Sequence, residues 1–348
     1  MKYTIEDLKT KWEALKAEQP RLRIKNAADQ LGVSEMELLT TQIGEGVTVL
    51  ESKFSEILQQ IEKLGKVMAL TRNDECVHER KGVYLNPDFS SPHAQLFVGE
   101  DIDLRIFLSQ WKYAFAVEDG KNKSLQFFGK DGLAIHKIYL TPLSNESEYI
   151  NLVKEFTAEN QNPEFTIEEF VNNAVEKPDT EIDVEGFQRE WVELKDTHDF
   201  FGMTRKYGVT RSQALRLAPN ENYANKIHNE KVVDLLNLAA ERKFPIMVFV
   251  GNRGNIQIHT GEINKVMWFE SWINVMDPDF NLHLDTKRIH ETWVVRKPTT
   301  DGMVTAVEVF NENGEIIVQF FGKRKPGVPE LEEWRELVAD LEKSEAIN

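Results

Sequence analysis

The chain has 348 residues, with 42 Lys plus Arg against 58 Asp plus Glu, so its formal charge is −16. At about 150 residues per domain that length fits two domains or one unit used twice. The acidic balance argues against a general nucleic-acid or anionic-membrane binder, and 41% hydrophobic with 10% aromatic residues excludes global disorder.

The first residues, Met1 to Asp7, read as an acidic amphipathic helix start and not as a signal peptide. Leu8, Trp12 and Leu15 then share one helix face. The stretch from Ile24 to Leu39 mimics a helix-turn-helix, but its second helix, Ser34 to Leu39, carries Glu35 and Glu37 where a recognition helix needs basic residues. Cys76 is the only cysteine, so neither an intrachain disulfide nor a cysteine zinc cluster can form. Asp131-Gly132 marks a hairpin turn. A polar stretch with prolines follows, enclosing an acidic helix-like run from Ile167 to Val175. Phe187, Trp191, Leu194 and Phe201 fall on one face of a further helix. Phe244 to Asn255 reads as a strand and a turn, and Val304 to Phe321 as a hairpin about Asn313-Gly314. No apolar run approaches the roughly 20 residues of a membrane span. The expectation is a soluble, cytoplasmic chain with no stable membrane insertion and no nucleic-acid partner.

The pattern repeats. Trp12-Glu13-Ala14-Leu15-Lys16 returns as Trp191-Val192-Glu193-Leu194-Lys195, and Met68, Asn73 and Gly82 align with Met247, Asn252 and Gly261, all shifted by 179. Leu31-Gly32-Val33-Ser34 returns as Tyr207-Gly208-Val209-Thr210, and Trp111, Phe128 and Gly132 align with Trp293, Phe310 and Gly314. The order is collinear. The reading is α+β: a tandem structural repeat, each half with N-terminal helices and a large antiparallel β-sheet. Residues 1–160 form the N-terminal repeat, 161–180 a linker and 181–348 the C-terminal repeat.

Duplication supplies an internal control, because a position needed only for the fold should look alike in both halves. His198 continues the stripe Trp191, Leu194, Phe201, and its counterpart 179 residues earlier is Gln19. It is either a helix-face histidine with a satisfied hydrogen bond or a ligand present in one half only. A lone histidine cannot hold bare zinc, but it suffices for heme iron, whose porphyrin supplies four donors. His78, His93, His136, His228, His259, His283 and His290 show no partner pattern and read as surface or strand-face residues. Arg105 sits among apolar residues in Asp101 to Trp111, either paired with Asp101 or Asp103 or facing a ligand. Arg296-Lys297 before Pro298, and Lys323-Arg324-Lys325, are basic clusters in an acidic chain, either solvated edges or partners for ligand carboxylates. No P-loop, GxSxG, HExxH, EF-hand or dinucleotide fingerprint occurs.

The runs Val67 to Asn73, Val77 to Gly82, Asp103-Leu104-Arg105, Gln213 to Pro219 and Phe320 to Gly327 together resemble the cytoplasmic hemin-degrading and hemin-transport proteins, the HemS/ChuS/HmuS group. The resemblance covers nearly the whole chain. It implies one heme bound in a cleft between the halves, with His198 as axial ligand of the iron and Arg105 on the distal side. It implies Arg211, Lys297 and Arg324 as partners of the heme propionates, and it places Val318 where some members have a tyrosine. The function implied is oxidative opening of the porphyrin ring to release iron during heme-iron uptake, with an external donor such as NAD(P)H or ascorbate. The alternative implied is a non-enzymatic chaperone or store that passes heme to a separate oxygenase. A heme ABC transporter, a reductase and a downstream oxygenase are the protein partners it suggests.

Overall fold

The computed structural model describes residues 3–170, 176–325 and 327–343. The first half of the sequence runs α1 (Ile5–Glu18), α2 (Ile24–Leu31), α3 (Glu35–Thr40), β1 (Val47–Leu50), α4 (Phe54–Leu58), β2 (Gly65–Arg72), β3 (Cys76–Gly82), β4 (Pro87–Asp88), β5 (Gln95–Val98), β6 (Asp103–Ile106), β7 (Trp111–Asp119), β8 (Asn122–Gly129), β9 (Ala134–Ser144) and α5 (Glu146–Phe156). The second half repeats that order: α6 (Val184–Val192), α7 (Asp199–Tyr207), α8 (Arg211–Arg216), β10 (Ala224–Ile227), α9 (Lys231–Arg242), β11 (Ile246–Gly251), β12 (Asn255–Gly261), β13 (Val266–Phe269), β14 (Trp272–Met276), β15 (Phe280–Asp285), β16 (Glu291–Thr299), β17 (Gly302–Phe310), β18 (Ile316–Gly322) and α10 (Glu332–Lys343). The α+β class and the duplication expected from the sequence are borne out.

Two compact units emerge. The first comprises residues 1–72, 79–171 and 252–257, and the second 73–78, 172–251 and 258–348. Each unit thus takes six residues from the other half of the sequence, and 73–78 and 252–257 are the same segment under a shift of 179. In the first unit five strands run antiparallel in the order β1-β7-β8-β9-β2, with β4-β5-β6 beside one another. In the second they are β10-β16-β17-β18-β11, with β13-β14-β15 beside one another. The first core gathers Leu58, Leu64, Val67, Leu104, Ile106, Phe127 and Leu152, and the second Leu235, Val248, Leu282, Val307, Phe320 and Trp334. Burial of these side chains removes apolar surface from water, which is the main drive to fold.

Local signals explain the helix starts. Thr4 accepts the amide of Asp7 at 3.1 Å at the head of α1. Ser34 and Glu37 form a reciprocal capping box on α3, Asp183 caps α6, and Thr210 caps α8. Gly32 and Gly208, at φ of +66° and +67°, end α2 and α7 in the left-handed region that favours glycine. The helix-turn-helix mimic is explained by packing. All six residues of α3 are buried, with Glu35 paired to Lys137 and Glu37 committed to its cap.

Three expectations are corrected. The helix read through Trp191, Leu194, His198 and Phe201 is two helices: α6 stops at Val192, and α7 begins only at Asp199. The break rotates the stripe, so Phe200 is buried while Phe201 is 67% exposed. The helix-like run from Ile167 is irregular over 167–170, and Val171 to Val175 lie outside the described residues. Finally, the repeat shift is not uniform. Matched glycine caps at Gly32 and Gly208 give 176 for the second helix, which makes Leu22, not Gln19, the counterpart of His198.

Strand register corrects the third part of the alignment. Phe115 pairs with Gln126 across β7-β8, whereas Trp293 pairs with Glu308 across β16-β17. Gln126 faces Lys137, and Glu308 faces Gln319, so β8 and β9 are shifted by 182. Trp293 is therefore the counterpart of Phe115, not of Trp111, and β16 is shifted by 178. The four-residue difference is an extension of one hairpin. Beyond Lys297↔Val304, which matches Asp119↔Asn122, the second half adds Pro298↔Met303 and Thr299↔Gly302.

Candidate functional site

His198 stands at the head of α7, with its side chain 93% exposed. Its ring Nδ1 lies 2.7 Å from Asp196 Oδ1, and its backbone amide donates to the same oxygen at 2.8 Å. Nδ1–H is therefore the donor in the neutral ring, which leaves the Nε2 lone pair outward as a ligand. The backbone amide of His198, its ring and the charge of Arg324 hold the Asp196 carboxyl below the usual carboxylate range. The hairpin extension braces this loop: the Thr300 amide, at its tip, donates to the Lys195 carbonyl at 3.0 Å. Trp191 adds an indole hydrogen bond to the Arg296 carbonyl at 3.0 Å.

A charged cluster lies in the same unit. Arg211, the first residue of α8, donates its Nε to Glu308 Oε2 at 3.0 Å, and Lys297 Nζ lies 3.1 Å from Glu308 Oε1. Both cations sit over the Phe200 ring, at 4.5 and 4.8 Å from its centroid. Lys297 is buried, not at a solvated strand edge, with its ammonium over that ring. Burial and the neighbouring Arg211 push its ammonium down to about 8. Burial would raise the Glu308 carboxyl, but the charges of Arg211 and Lys297 win and hold it at about 2. Two cations against one carboxylate leave a positive excess in a chain that is otherwise acidic.

Arg324 follows β18. Its Nη2 lies 3.8 Å from Asp301 Oδ2, and its Nε is buried with no hydrogen-bond acceptor among the described residues. An orphaned donor of this kind calls for an anion to complete it. Arg105 belongs to the other unit. It lies on β6, pairs with Asp103 and not Asp101, and donates Nη1 to the Leu104 carbonyl at 3.1 Å. Asp101 is taken by Arg80. The second unit thus collects His198, Arg211, Lys297 and Arg324, and the first holds Arg105. This donor set fits heme: an outward imidazole for iron, and excess cations with an unfilled donor for two propionates.

Sequence reasoning missed a polar centre in the first unit. His136, read as a surface or strand-face residue, is fully buried on β9. Its Nε2 lies 2.6 Å from the Tyr84 hydroxyl, and its Nδ1 lies 2.9 Å from Thr71 Oγ1. Thr71 also donates to Gln257 Oε1 at 2.8 Å, and Asn255 Nδ2 donates to Thr71 at 2.7 Å. Burial pushes the imidazole down to about 3 and the Tyr84 hydroxyl well up. The partners come from three separate segments, so no local spacing marks them. His78 and His259 are buried too, and His259 stacks on Phe280 at 3.7 Å. Among the described residues no group of three or more His, Cys, Asp or Glu could hold a metal ion, and no helix is long and apolar enough to cross a membrane.

The fold defines a class: a duplicated α+β chain with an exposed imidazole and surplus cations in one copy. Comparison makes the class specific: the haemin-degrading HemS.ChuX domain matches residues 32–156 and 208–341, and the chain belongs to that family. The hemin transport protein HmuS of Yersinia pestis is 38% identical over 94% of each chain. The apo and holo structures of PhuS, a heme-binding protein of Pseudomonas aeruginosa, are each 43% identical, cover 97% of this chain and 99% of theirs, and superpose with a TM-score of 0.94. The heme degrading enzyme ChuS of Escherichia coli O157:H7 is 32% identical, with 97% and 99% coverage and a TM-score of 0.91.

Proposed function

We propose that this chain binds one heme through His198 and opens its porphyrin ring to release iron, in the cytoplasm, with electrons from an external donor of the NAD(P)H or ascorbate kind. The observation that carries the reading is the exposed His198 imidazole, with Nδ1 tied to Asp196 and Nε2 left as a donor. Arg211, Lys297 and Arg324 are assigned to the propionates, since two carboxylates need cations that their own neighbours do not cancel. Arg105 is assigned to the distal side. Among the described residues its hydrogen bonds run through Nη1, which keeps the rest of the guanidinium available. Heme supplies the iron at which oxygen is reduced, and a guanidinium there stabilises negative charge as it develops. The family relationship to ChuS supports degradation.

A second reading, heme storage or transfer without turnover, is favoured by the greater similarity to PhuS, whose structures describe a heme-binding protein, and by HmuS, described as a hemin transport protein. Titration with hemin is expected to give a Soret band at one equivalent and to lose it in His198→Ala. An unchanged spectrum in that variant overturns the ligand assignment. Ascorbate or NADPH added with catalase decides between the readings. Loss of the Soret band with release of iron supports the enzyme, whereas a stable band supports the carrier. A heme transporter, a reductase and a downstream oxygenase are the partners these readings need.

A further inference from the structure

Asp196 does something the metal-ligand assignment does not require. A single carboxylate oxygen, Oδ1, takes the His198 backbone amide at 2.8 Å and the His198 ring Nδ1 at 2.7 Å. A carboxylate two residues before an amide commonly closes a turn in this way, which accounts for the first bond. The second bond acts on the ring. Free imidazole can carry its proton on either nitrogen, and only the Nδ1–H form presents Nε2 as a donor. Three further contacts fix the loop that makes the pair. The Asp199 amide donates to the Asp196 carbonyl at 3.2 Å, the Phe201 amide to the His198 carbonyl at 3.3 Å, and the Thr300 amide to the Lys195 carbonyl at 3.0 Å. The last contact comes from the four-residue hairpin extension found only in the second half. The first half has Leu22 in place of His198 and no extension, so loop, brace and ligand occur together in one copy.

We propose that Asp196 is a positioning residue that selects the Nδ1–H tautomer of His198, aims its Nε2 outward, and raises the electron donation of the ring to ferric iron. This rests on the reading of His198 as the heme ligand. A carboxylate that accepts the proton of a ligating imidazole makes the ring a stronger donor, and loss of such a partner costs about 10–100-fold in metal affinity. Stronger donation favours the higher oxidation state. A tenfold loss of preference for ferric over ferrous iron corresponds to about 59 mV for one electron.

The test begins without heme. In ¹⁵N-histidine-labelled apo-protein, at a pH where the ring is neutral, the signal that disappears in His198→Ala is expected to show the Nδ1–H tautomer. Asp196→Ala is expected to shift that signal to Nε2–H, and Asp196→Asn, which keeps a neutral acceptor, to retain Nδ1–H in part. In the hemin complex Asp196→Ala is expected to raise the ferric/ferrous potential by about 59 mV, for a tenfold change, with Asp196→Asn between it and the parent. A role confined to closing the turn moves neither tautomer nor potential. If Asp196→Ala leaves both unchanged while His198→Ala still abolishes the Soret band, the positioning role is wrong and the ligand assignment stands. If His198→Ala keeps the Soret band, the ligand assignment fails, and this inference fails with it.

Discussion

The two copies keep one device identical and make others different. Asn73 accepts the amides of Glu75 and Cys76 at 3.1 and 2.8 Å and donates to the carbonyls of Gly251 and Ile317. Asn252 accepts the amides of Gly254 and Asn255 at 3.0 and 3.1 Å and donates to the carbonyls of Arg72 and Ile135. These are the same bonds between equivalent positions, and they anchor the six-residue segment that each unit takes from the other half. The polar centre of the first unit, by contrast, is Thr71, Tyr84, His136, Asn255 and Gln257. Its counterparts are Val250, Ile263, Val318, Cys76 and His78. Four of these five exchanges replace a hydrogen-bonding side chain by a group that needs little or no bonding. Around the His198 loop the exchange is of charge. Arg211 answers to Glu35, Lys297 to Asp119, and Glu308 to Gln126, while Arg105 in the first half answers to His283 in the second. The lesson is that bonds holding the backbone resist divergence, whereas side chains that only face one another diverge in sets.

The largest test of that contrast is His136→Val, which writes the second unit's residue into the first. The Tyr84 hydroxyl loses its partner inside the core, an unsatisfied group that costs about 1–3 kcal/mol, while Thr71 keeps Gln257 and Asn255. With the void left by the smaller side chain, the expected loss is about 2–4 kcal/mol in urea unfolding. Adding Thr71→Val and Tyr84→Phe should recover part of it, because an apolar set is self-consistent. A single variant as stable as the parent would mean the polar centre is not a set. The pH dependence carries the same information. The folded pKa of His136, about 3, is below its unfolded value of 6.5, so its contribution is complete above pH 6.5. As pH falls from 6.5 towards 3, the unfolded chain takes up a proton that the folded chain refuses, and stability drops by about 1.4 kcal/mol per pH unit. His136→Val should flatten that slope.

The conserved device predicts a symmetric result. Asn73→Ala and Asn252→Ala each remove four hydrogen bonds at one turn, for about 2–3 kcal/mol apiece. Hydrogen exchange of the two units should show equal losses. A loss confined to one variant would show that the turns, although bonded alike, do not bear equal load.

Much of this was legible in the residues, and the failures have physical causes. Collinear matches such as Asn73 with Asn252 announced the duplication, and the shared face of Leu8 and Trp12 marked the first helix. The helix break before His198 escaped the periodicity because Trp191, Leu194 and His198 stay near a helical spacing across a gap of six residues. The hairpin extension escaped because Trp111 and Trp293 offered a tempting but wrong match, and only strand register exposes it. His136 escaped because its partners lie 52 to 119 residues away in sequence. Arg105 was open between two aspartates, and only the fold assigns Asp103 to it and Asp101 to Arg80.

The smallest test reads the charge exchange through ligand affinity. Lys297 titrates near 8 because it is buried beside Arg211, even though Glu308 pulls the other way. Below pH 8 its ammonium is available to a carboxylate, and above pH 8 the unliganded protein has lost that proton. Binding two propionates then requires taking the proton back. Hemin affinity should therefore be flat below pH 8 and fall by up to tenfold per pH unit above it, about 1.4 kcal/mol each. Deprotonation of iron-bound water gives its own alkaline change, so the decisive quantity is a difference. Lys297→Met removes the titrating group and should bind more weakly at pH 7, with an affinity that no longer tracks the parent above pH 8. Parallel curves for the two proteins from pH 7 to 9 would remove Lys297 from the propionate site. Such a result would leave the exchange of Asp119 for Lys297 as a change in the packing of Phe200 alone.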